Sequence, residues 1–266
     1  MNSIHPLACI SPEAKLGDNI EIGPFAFVDS NVEIGDGCRI MNGATILNHV
    51  RIGKDCTIFP GAVVGAIPQD LKFEGEESWV EIGDRVNIRE CATVNRGTAT
   101  SGKAITRIGS DTLIMSYCHI AHDCNIGSHC IIVSYAGLAG ETDVEDWGVI
   151  GGKSGTHQFS RIGTHAFVGA CSRLVKDVPP YVLAGREPVR FEGVNRTGLL
   201  RRGFTEEDVD LIKAMYDAIY FGGMNVSQAL EYIEANFPES QIRDNIVGFI
   251  RGSKRGIIPK PRPIEQ

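Results

Sequence analysis

Two histidines and an aspartate fall within five consecutive residues, His119-Ile120-Ala121-His122-Asp123. Histidine is the side chain whose charge ordinarily changes near neutral pH. With an acid beside it, His122 has the make-up of a general base that takes a proton from a hydroxyl. Gly140 follows His122 at a distance of eighteen residues, and Gln158 follows at the next eighteen, with His157 next to it. A glycine close to such a base leaves room for substrate and presents a bare backbone N–H to a developing oxyanion. A base and an oxyanion donor are the minimum for acyl transfer. The spacing alone also leaves open an ordinary surface histidine on a repeat protein.

Whether these residues meet depends on the elements that carry them. Aliphatic residues recur every six positions from the start, as in Ile4, Ile10, Leu16, Ile22, Val28, Ile34 and onward to Val64. The run breaks at Asp70 and Glu76, resumes in phase at Ile82, Ile88 and Val94, and breaks again. A new phase then runs from Ile108 through Ile114, Ile120, Ile126, Ile132 and Leu138 to Leu174. Four residues after each aliphatic comes a small or β-branched residue, including Cys38, Cys56, Cys118, Cys124 and Cys130.

A six-residue period fits neither an amphipathic helix nor a two-sided strand. It predicts a mainly β fold, a parallel β-helix in which three hexapeptides make one triangular coil. Left-handedness is what resemblance to hexapeptide prisms implies. Residues eighteen apart then stack, which places His122, Gly140 and Gln158 in one column with Glu141 above Asp123. His122 is expected at an outward or corner position open to solvent, and His119 near a corner. His5, His49, His129 and His165 read as surface residues. The cysteines read as inward filler, lying on successive faces rather than in a cluster. A metal site from His119, His122 and His157 lacks the close ligand spacing of known motifs, and none is expected. The two breaks read as loops leaving the prism, where function concentrates.

Val178-Pro179-Pro180-Tyr181 ends the pattern, since proline cannot donate to a ladder. Beyond Arg202 the spacing turns helical. Thr205 is placed to cap a helix stopped by Gly222-Gly223, Ser227 a second to about Phe237, and Ser240 a third to about Ile250. The tail from Pro259 is expected to be loose. Two domains result: a β-helix over 1–190 and a small α-helical C-terminal domain over 191–266.

The composition narrows the class. The net charge of -7 argues against nucleic acid as a partner. Residues 161–202 run the other way, with eight Lys or Arg against three Asp or Glu, and suit an acidic partner. The first ten residues lack a basic segment and an apolar core, so no signal peptide is expected. No apolar run reaches membrane-spanning length. The eight cysteines contain no CxxC, and the chain reads as cytoplasmic.

Several motifs then run in order: Gln69-Asp70-Leu71-Lys72, Arg96-Gly97-Thr98, His119-Ile-Ala-His122-Asp123, His157-Gln158-Phe159, Asp177-Val-Pro-Pro-Tyr181, Gly193-Val-Asn195 and Arg201-Arg202-Gly203-Phe204. Together they resemble the UDP-N-acetylglucosamine O-acyltransferases that begin lipid A synthesis, over nearly the whole chain. The resemblance implies a homotrimer with sites in clefts between prisms. It implies transfer of a 3-hydroxyacyl group from acyl carrier protein to the glucosamine 3-hydroxyl of UDP-N-acetylglucosamine, with no metal or other cofactor. By motif match His122 is the base, Asp123 polarises it, and the Gly140 N–H receives the oxyanion. Asp70 and Lys72 hold the sugar, and His119 and His157 help position substrate. Asn195, Arg201, Arg202 and Gln158 serve the nucleotide. Ala170 matches the position that closes the acyl groove; its small side chain implies an acyl chain of about fourteen carbons or somewhat longer.

Glu141, Asn95 and Thr197 depart from the residues common in that family, which are His, His and Glu. None is the expected base or oxyanion donor. Two other readings remain at this point. One is a different hexapeptide acyltransferase, either the later lipid A N-acyltransferase or an acetyl- or succinyl-CoA enzyme. The other is a non-catalytic β-helix binding module.

Overall fold

In the computed structural model, which describes residues 1–261, each circuit of the chain lays one short strand on each of three sheets. We number these faces in the order the chain meets them. Face 1 begins at Ser3–Ile4, face 2 at Cys9–Ile10 and face 3 at Lys15–Leu16. They hold 11, 9 and 8 strands. The result is a left-handed parallel β-helix with a small helical part at its C-terminal end. Partners in the ladder are eighteen residues apart: Ile22 pairs with Ile40, Ile120 with Leu138 and Ile126 with Val144.

The hexapeptide dictates this shape. Each two-residue strand turns its aliphatic side chain inward, and Ile40, Ile58, Ile120, Ile132 and Leu138 are all 0–1% exposed. Burying each such side chain contributes about 1.5–3 kcal/mol. The small residue fills the space beside the turn. Cys38, Cys56, Cys118, Cys124 and Cys130 lie buried there, and no cysteine is in a disulfide. Burial pushes the Cys118 thiol up to about 11 and those of Cys124 and Cys130 up to about 12. These thiols are filler, not nucleophiles. The first coil is the exception to inward packing: Ile4 is 44% exposed, because nothing stacks beneath it.

Both breaks in the repeat leave the prism at the corner between faces 2 and 3. The first loop runs from Val63–Ala66 on face 2 to Trp79–Ile82 on face 3. The second runs from Thr93–Asn95 to Ile105–Ile108, one coil later at the same corner. The next coil makes that corner without an insertion, at residues 121–124, between His119–Ile120 and Asn125–Ile126. Thus the His122-Asp123 turn stacks directly on the roots of two loops.

The prism does not stop at Leu174. Val178 still bridges Ile162 on face 3, and Val182–Gly185 adds a further parallel strand to face 1. Pro179 and Pro180 fall in the turn between, where no ladder donor is needed. Arg190–Val194 then closes face 1 as an antiparallel hairpin partner that the sequence reading did not anticipate.

Among the described residues four α-helices follow: α1 Arg196–Arg201, α2 Glu206–Phe221, α3 Val226–Asn236 and α4 Gln241–Arg251. Thr205 caps α2 in a capping box with Asp208, and Ser240 caps α4. The cap of α3 is Asn225 rather than Ser227, which lies inside the first turn. Asn225 makes a capping box with Gln228, so two orphan donors are satisfied where Ser227 would satisfy one. The helices are tied to the prism by Tyr216 Oη to Pro180 O at 2.7 Å and Asn245 Nδ2 to Tyr181 Oη at 2.8 Å. The segment from Pro259 is not free at its start, since Phe191 N donates to Pro259 O and Arg190 to Lys260 O. Residues 262–266 of that tail lie outside the described residues.

Candidate active site

Residues 121–124 form a turn whose third residue, Asp123, has φ +58. Aspartate tolerates this left-handed conformation better than most residues. The Asp123 backbone N–H donates to Thr106 Oγ1 at 2.8 Å, which fixes the turn. The Asp123 carboxylate, fully buried, then reaches back to the preceding side chain, and His122 Nδ1 lies 2.8 Å from Asp123 Oδ2. That contact directs the Nδ1 proton to the carboxylate and leaves Nε2 as the free, basic nitrogen.

His122 is not open to solvent in the way its corner position suggests, being only 8% exposed. The reason is the two loops. Asp70, from the first, brings its Oδ2 to 3.8 Å from His122 Nε2. The second folds back onto Asp123. Thr98 N donates to both carboxylate oxygens at 3.0 Å, Thr98 Oγ1 donates at 2.7 Å and Ser101 Oγ at 2.7 Å. Gly97 permits this approach: a Cβ there would stand 2.6 Å from Asp123 Oδ1 and 2.0 Å from Ile105 N. The sequence showed Arg96-Gly97-Thr98 as a motif but gave no hint that its target is Asp123.

Gly140 lies one coil above His122. A Cβ at Gly140 would come within 2.4 Å of Nε2 and 2.5 Å of Cε1. The imidazole therefore occupies the space a side chain would need. Among the described residues the Gly140 N–H donates to no acceptor. Gly140 and the His122 ring are thus in direct contact across successive coils, with the unpaired Gly140 N–H beside the imidazole.

Glu141 follows at φ +56, with its N–H donating to His122 O at 2.9 Å. Burial first, and then the nearby Asp123 charge, hold the Glu141 carboxyl above its usual range. One coil further, His157 Nδ1 lies 2.9 Å from Gln158 O, which also accepts from Arg255 at 3.4 Å. His157 is exposed, and its Nε2 is left without a protein partner among the described residues.

His119 is not at a corner. It stands on the flat of face 2, paired with Gly137, and its Nδ1 lies 2.8 Å from Thr93 Oγ1. Burial lowers its proton affinity below the ordinary histidine value, favouring a neutral ring. Lys72 is exposed, two residues from Asp70 in the first loop, and its N–H donates to Asp70 Oδ1.

The other expected site residues lie elsewhere in the same chain. Asn195 caps α1 and donates to His165 O at 2.9 Å, at the corner between faces 3 and 1. Arg202 lies 5.0 Å over the Trp147 ring and 3.2 Å from His165 Nδ1. Arg201 beside it is exposed. Ala170 is at the corner between faces 1 and 2, three coils above the level of His122, and is exposed. One chain therefore presents His122, Asp123, Gly140, Asp70, His157 and Gln158 on one edge, and Asn195, Arg201 and Arg202 on another.

Three histidines read as plain surface residues are not: His129 stacks on Trp147 at 4.1 Å, and the others are His165 and His49. His165 is stacked between Trp147 and Tyr181, each ring 5.8 Å away, and burial lowers its pKa to about 4. His49 packs edge-on against Trp79, and its Nδ1 lies 2.9 Å from the Arg96 guanidinium. The eighteen-residue spacing of His129, Trp147 and His165 was the available signal for that stack. Nothing periodic marked His49, because its partner Arg96 comes from a loop.

Comparison with known proteins adds a second line of observation. A family model described as UDP N-acetylglucosamine O-acyltransferase, domain 2, matches residues 177–258. A bacterial transferase hexapeptide model matches residues 105–140. A protein of Thiobacillus denitrificans named acyl-[acyl-carrier-protein]--UDP-N-acetylglucosamine O-acyltransferase is 43% identical over 258 residues, 97% of this chain and 100% of its own. One of the same name from a Janthinobacterium strain is 44% identical over 262 residues, covering 97% and 100%. Among solved structures, a UDP-N-acetylglucosamine acyltransferase from Bacteroides fragilis 9343 superposes with TM-score 0.94 at 50% identity, covering 96% of this chain and 99% of that one. The enzyme from Francisella novicida gives 0.93 at 39%, covering 97% and 95%.

Proposed function

This chain belongs to the UDP-N-acetylglucosamine O-acyltransferase family, and from that membership we propose how its residues divide the work. The reaction is transfer of a 3-hydroxyacyl group from acyl carrier protein to the 3-hydroxyl of UDP-N-acetylglucosamine, the first step of lipid A synthesis. Neither a CoA-dependent relative nor a non-catalytic module accounts for identity that runs the full length of these enzymes.

His122 Nε2 removes the proton from the sugar 3-hydroxyl as its oxygen attacks the thioester carbonyl. The carbonyl π electrons move to oxygen, and the Gly140 N–H receives that oxyanion. Collapse re-forms the carbonyl and breaks the C–S bond. The proton held on His122 goes to the departing thiolate, so the enzyme returns to its starting state. A base at this position contributes about 10²–10⁴-fold, and one oxyanion donor about 2.7–4 kcal/mol. Asp123 orients the ring and balances the imidazolium. Asp70 and Lys72, on the loop over His122, hold the sugar, and His119 and His157 line its approach. The observation that carries this reading is the His122 ring fixed by Asp123 with its basic nitrogen under Gly140.

Asn195, Arg201, Arg202 and Gln158 serve the uridine diphosphate, guanidinium groups being matched to phosphate oxygens. Since two of these clusters sit on different edges of one chain, the reading requires a second copy. The faces support a threefold arrangement. Face 3 carries an outward ladder of alternating charge, Lys15, Glu33, Arg51, Glu81 and Arg107, with contacts of 2.8–4.0 Å. Face 1 instead turns Leu113, Ile131, Val149 and Phe167 outward. The edge between faces 1 and 2 exposes Phe25, Tyr117 and Tyr135. Packing face 1 of one copy on face 2 of the next, with that aromatic edge on the axis, brings Arg201 and Arg202 of one chain beside His122 of its neighbour. Such head-to-tail contacts close a ring of three.

Exposed Arg173, Lys176 and Lys254 at the C-terminal end of the prism support docking of an acidic carrier protein. No described helix is long and apolar enough to cross a membrane. With eight free thiols, the chain suits the reducing cytoplasm. The test is incubation of purified protein with a 3-hydroxyacyl carrier protein and UDP-N-acetylglucosamine, followed by mass analysis of the sugar. A 3-O-acylated product carries the reading. Acylation only of another acceptor, or only from CoA thioesters, sinks it.

A further inference from the structure

The second loop makes a contact that general-base catalysis by His122 does not itself demand. The Asp123 carboxylate receives Thr98 N, Thr98 Oγ1 and Ser101 Oγ in addition to His122 Nδ1. A carboxylate offers about four acceptor directions, and here they are filled, three of them from residues 98–101. A carboxylate needs only one of those directions to orient a histidine. The same loop is anchored away from the site, because Ala99 N donates to Glu76 Oε1 at 3.0 Å, on the loop that also carries Asp70.

We propose that Thr98 and Ser101 are positioning residues that set how strongly Asp123 supports the charged form of His122. The proposal rests on His122 acting as the base. Hydrogen bonds donated to a carboxylate spread its charge. Each one takes away part of what the carboxylate would otherwise give the imidazolium. With the hydroxyl donors in place, Asp123 orients the His122 ring through Nδ1 but holds it only weakly in the protonated state. The imidazolium then releases its proton to the departing thiolate more readily. Asp123 accepts the Nδ1 hydrogen bond without taking that proton, so the proton transferred in the reaction is the one on Nε2.

Other charges face the same groups. Asp70 from the first loop is 3.8 Å from His122. Glu141 on the next coil interacts with both His122 and Asp123, and Lys103 and Asp143 surround Glu141. Glu76 and Arg96 stand behind the loop. None of them donates a hydrogen bond to Asp123, so removal of the Thr98 hydroxyl alters that carboxylate directly and the other charges only through space, whereas Ser101 Oγ also accepts from Lys103 N and Ala104 N.

The test compares Thr98→Val, Thr98→Ser, Ser101→Ala and the parent, all as the full chain. Two readouts are taken: kcat/KM against pH, and the ¹⁵N shift of the His122 ring against pH. Thr98→Val keeps the side-chain shape and loses the donor; Thr98→Ser keeps the donor. In Thr98→Val and Ser101→Ala the acid limb and the His122 ring titration both move to higher pH, on the order of half a unit or more. KM for the UDP-sugar stays within about twofold, and Thr98→Ser titrates like the parent. An unmoved His122 titration in well-folded Thr98→Val and Ser101→Ala overturns the proposal, whatever the rates do. A moved titration with an unmoved rate profile instead keeps the clamp and removes His122 as the base.

Discussion

Gly140 and His122 exclude each other's growth: a Cβ on the glycine would stand 2.4 Å from Nε2 of the histidine one coil below. Gly140→Ala must therefore push the imidazole off its line with Asp123 or lift the turn that offers the oxyanion donor. We expect kcat to fall by about 10² or more, with the melting temperature lowered as well, because the added Cβ sits in a buried place already filled by the His122 ring. Measuring both on one preparation is informative, since retained activity would place the oxyanion donor elsewhere.

The split of site residues between two edges of the chain leads to a mixing experiment. Arg201→Ala should weaken UDP-N-acetylglucosamine binding by calorimetry, while His122→Ala should stop turnover. With UDP-N-acetylglucosamine held well below the dissociation constant of Arg201→Ala, neither variant alone turns over appreciably. Co-folded in equal amounts into trimers, they should regain about a quarter of parental activity, because one in four interfaces then pairs an intact His122 with an intact Arg201. No recovery in demonstrably mixed trimers would mean that each chain completes its own site.

Glu141 gives a stability prediction with a defined sign. Burial and the Asp123 charge raise its carboxyl above the ordinary value. Below the ordinary value the group is protonated whether the chain is folded or not, and nothing is lost. As pH rises through the raised value the folded protein must carry an unfavourable charge, and stability falls. Glu141→Gln should match the parent at acid pH and exceed it towards neutrality, in urea midpoints taken at several pH values. Equal midpoints throughout would show that Lys103 and His122 already compensate the charge.

Much of this was legible before any coordinates. The eighteen-residue stacking followed from the period of six, and with it the column of His122, Gly140 and Gln158. Ladder register is rigid, so it carries over long distances. What the loops do was not legible. Thr98, Ser101 and Asp70 reach the His122-Asp123 turn through insertions that keep no period, and their targets depend on how the loops fold back. The burial of His122 was missed for the same reason. Ser227 and Asn225 are two good caps two residues apart that local sequence does not rank, and Asn225 is the one the helix uses. The hairpin partner at Arg190–Val194 has no hexapeptide signature at all.

We propose that acyl length is set at Ala170, which is exposed at the corner between faces 1 and 2. A methylene in an apolar groove is worth about 0.8 kcal/mol, so neighbouring chain lengths should be used within roughly tenfold of one another. Ala170→Met should shift the preferred donor to shorter chains by several carbons. A ranking across C10 to C16 donors that does not change would take this role from Ala170 and point to Arg173 nearby.

His122 as the base is tested most directly by the single-turnover rate of His122→Ala with saturating acyl carrier protein donor and UDP-N-acetylglucosamine. The predicted result is a rate lower by about 10² or more, with the UDP-sugar dissociation constant within a few-fold of the parent's. A variant that folds, binds sugar and transfers the acyl group at close to the parental rate would contradict it.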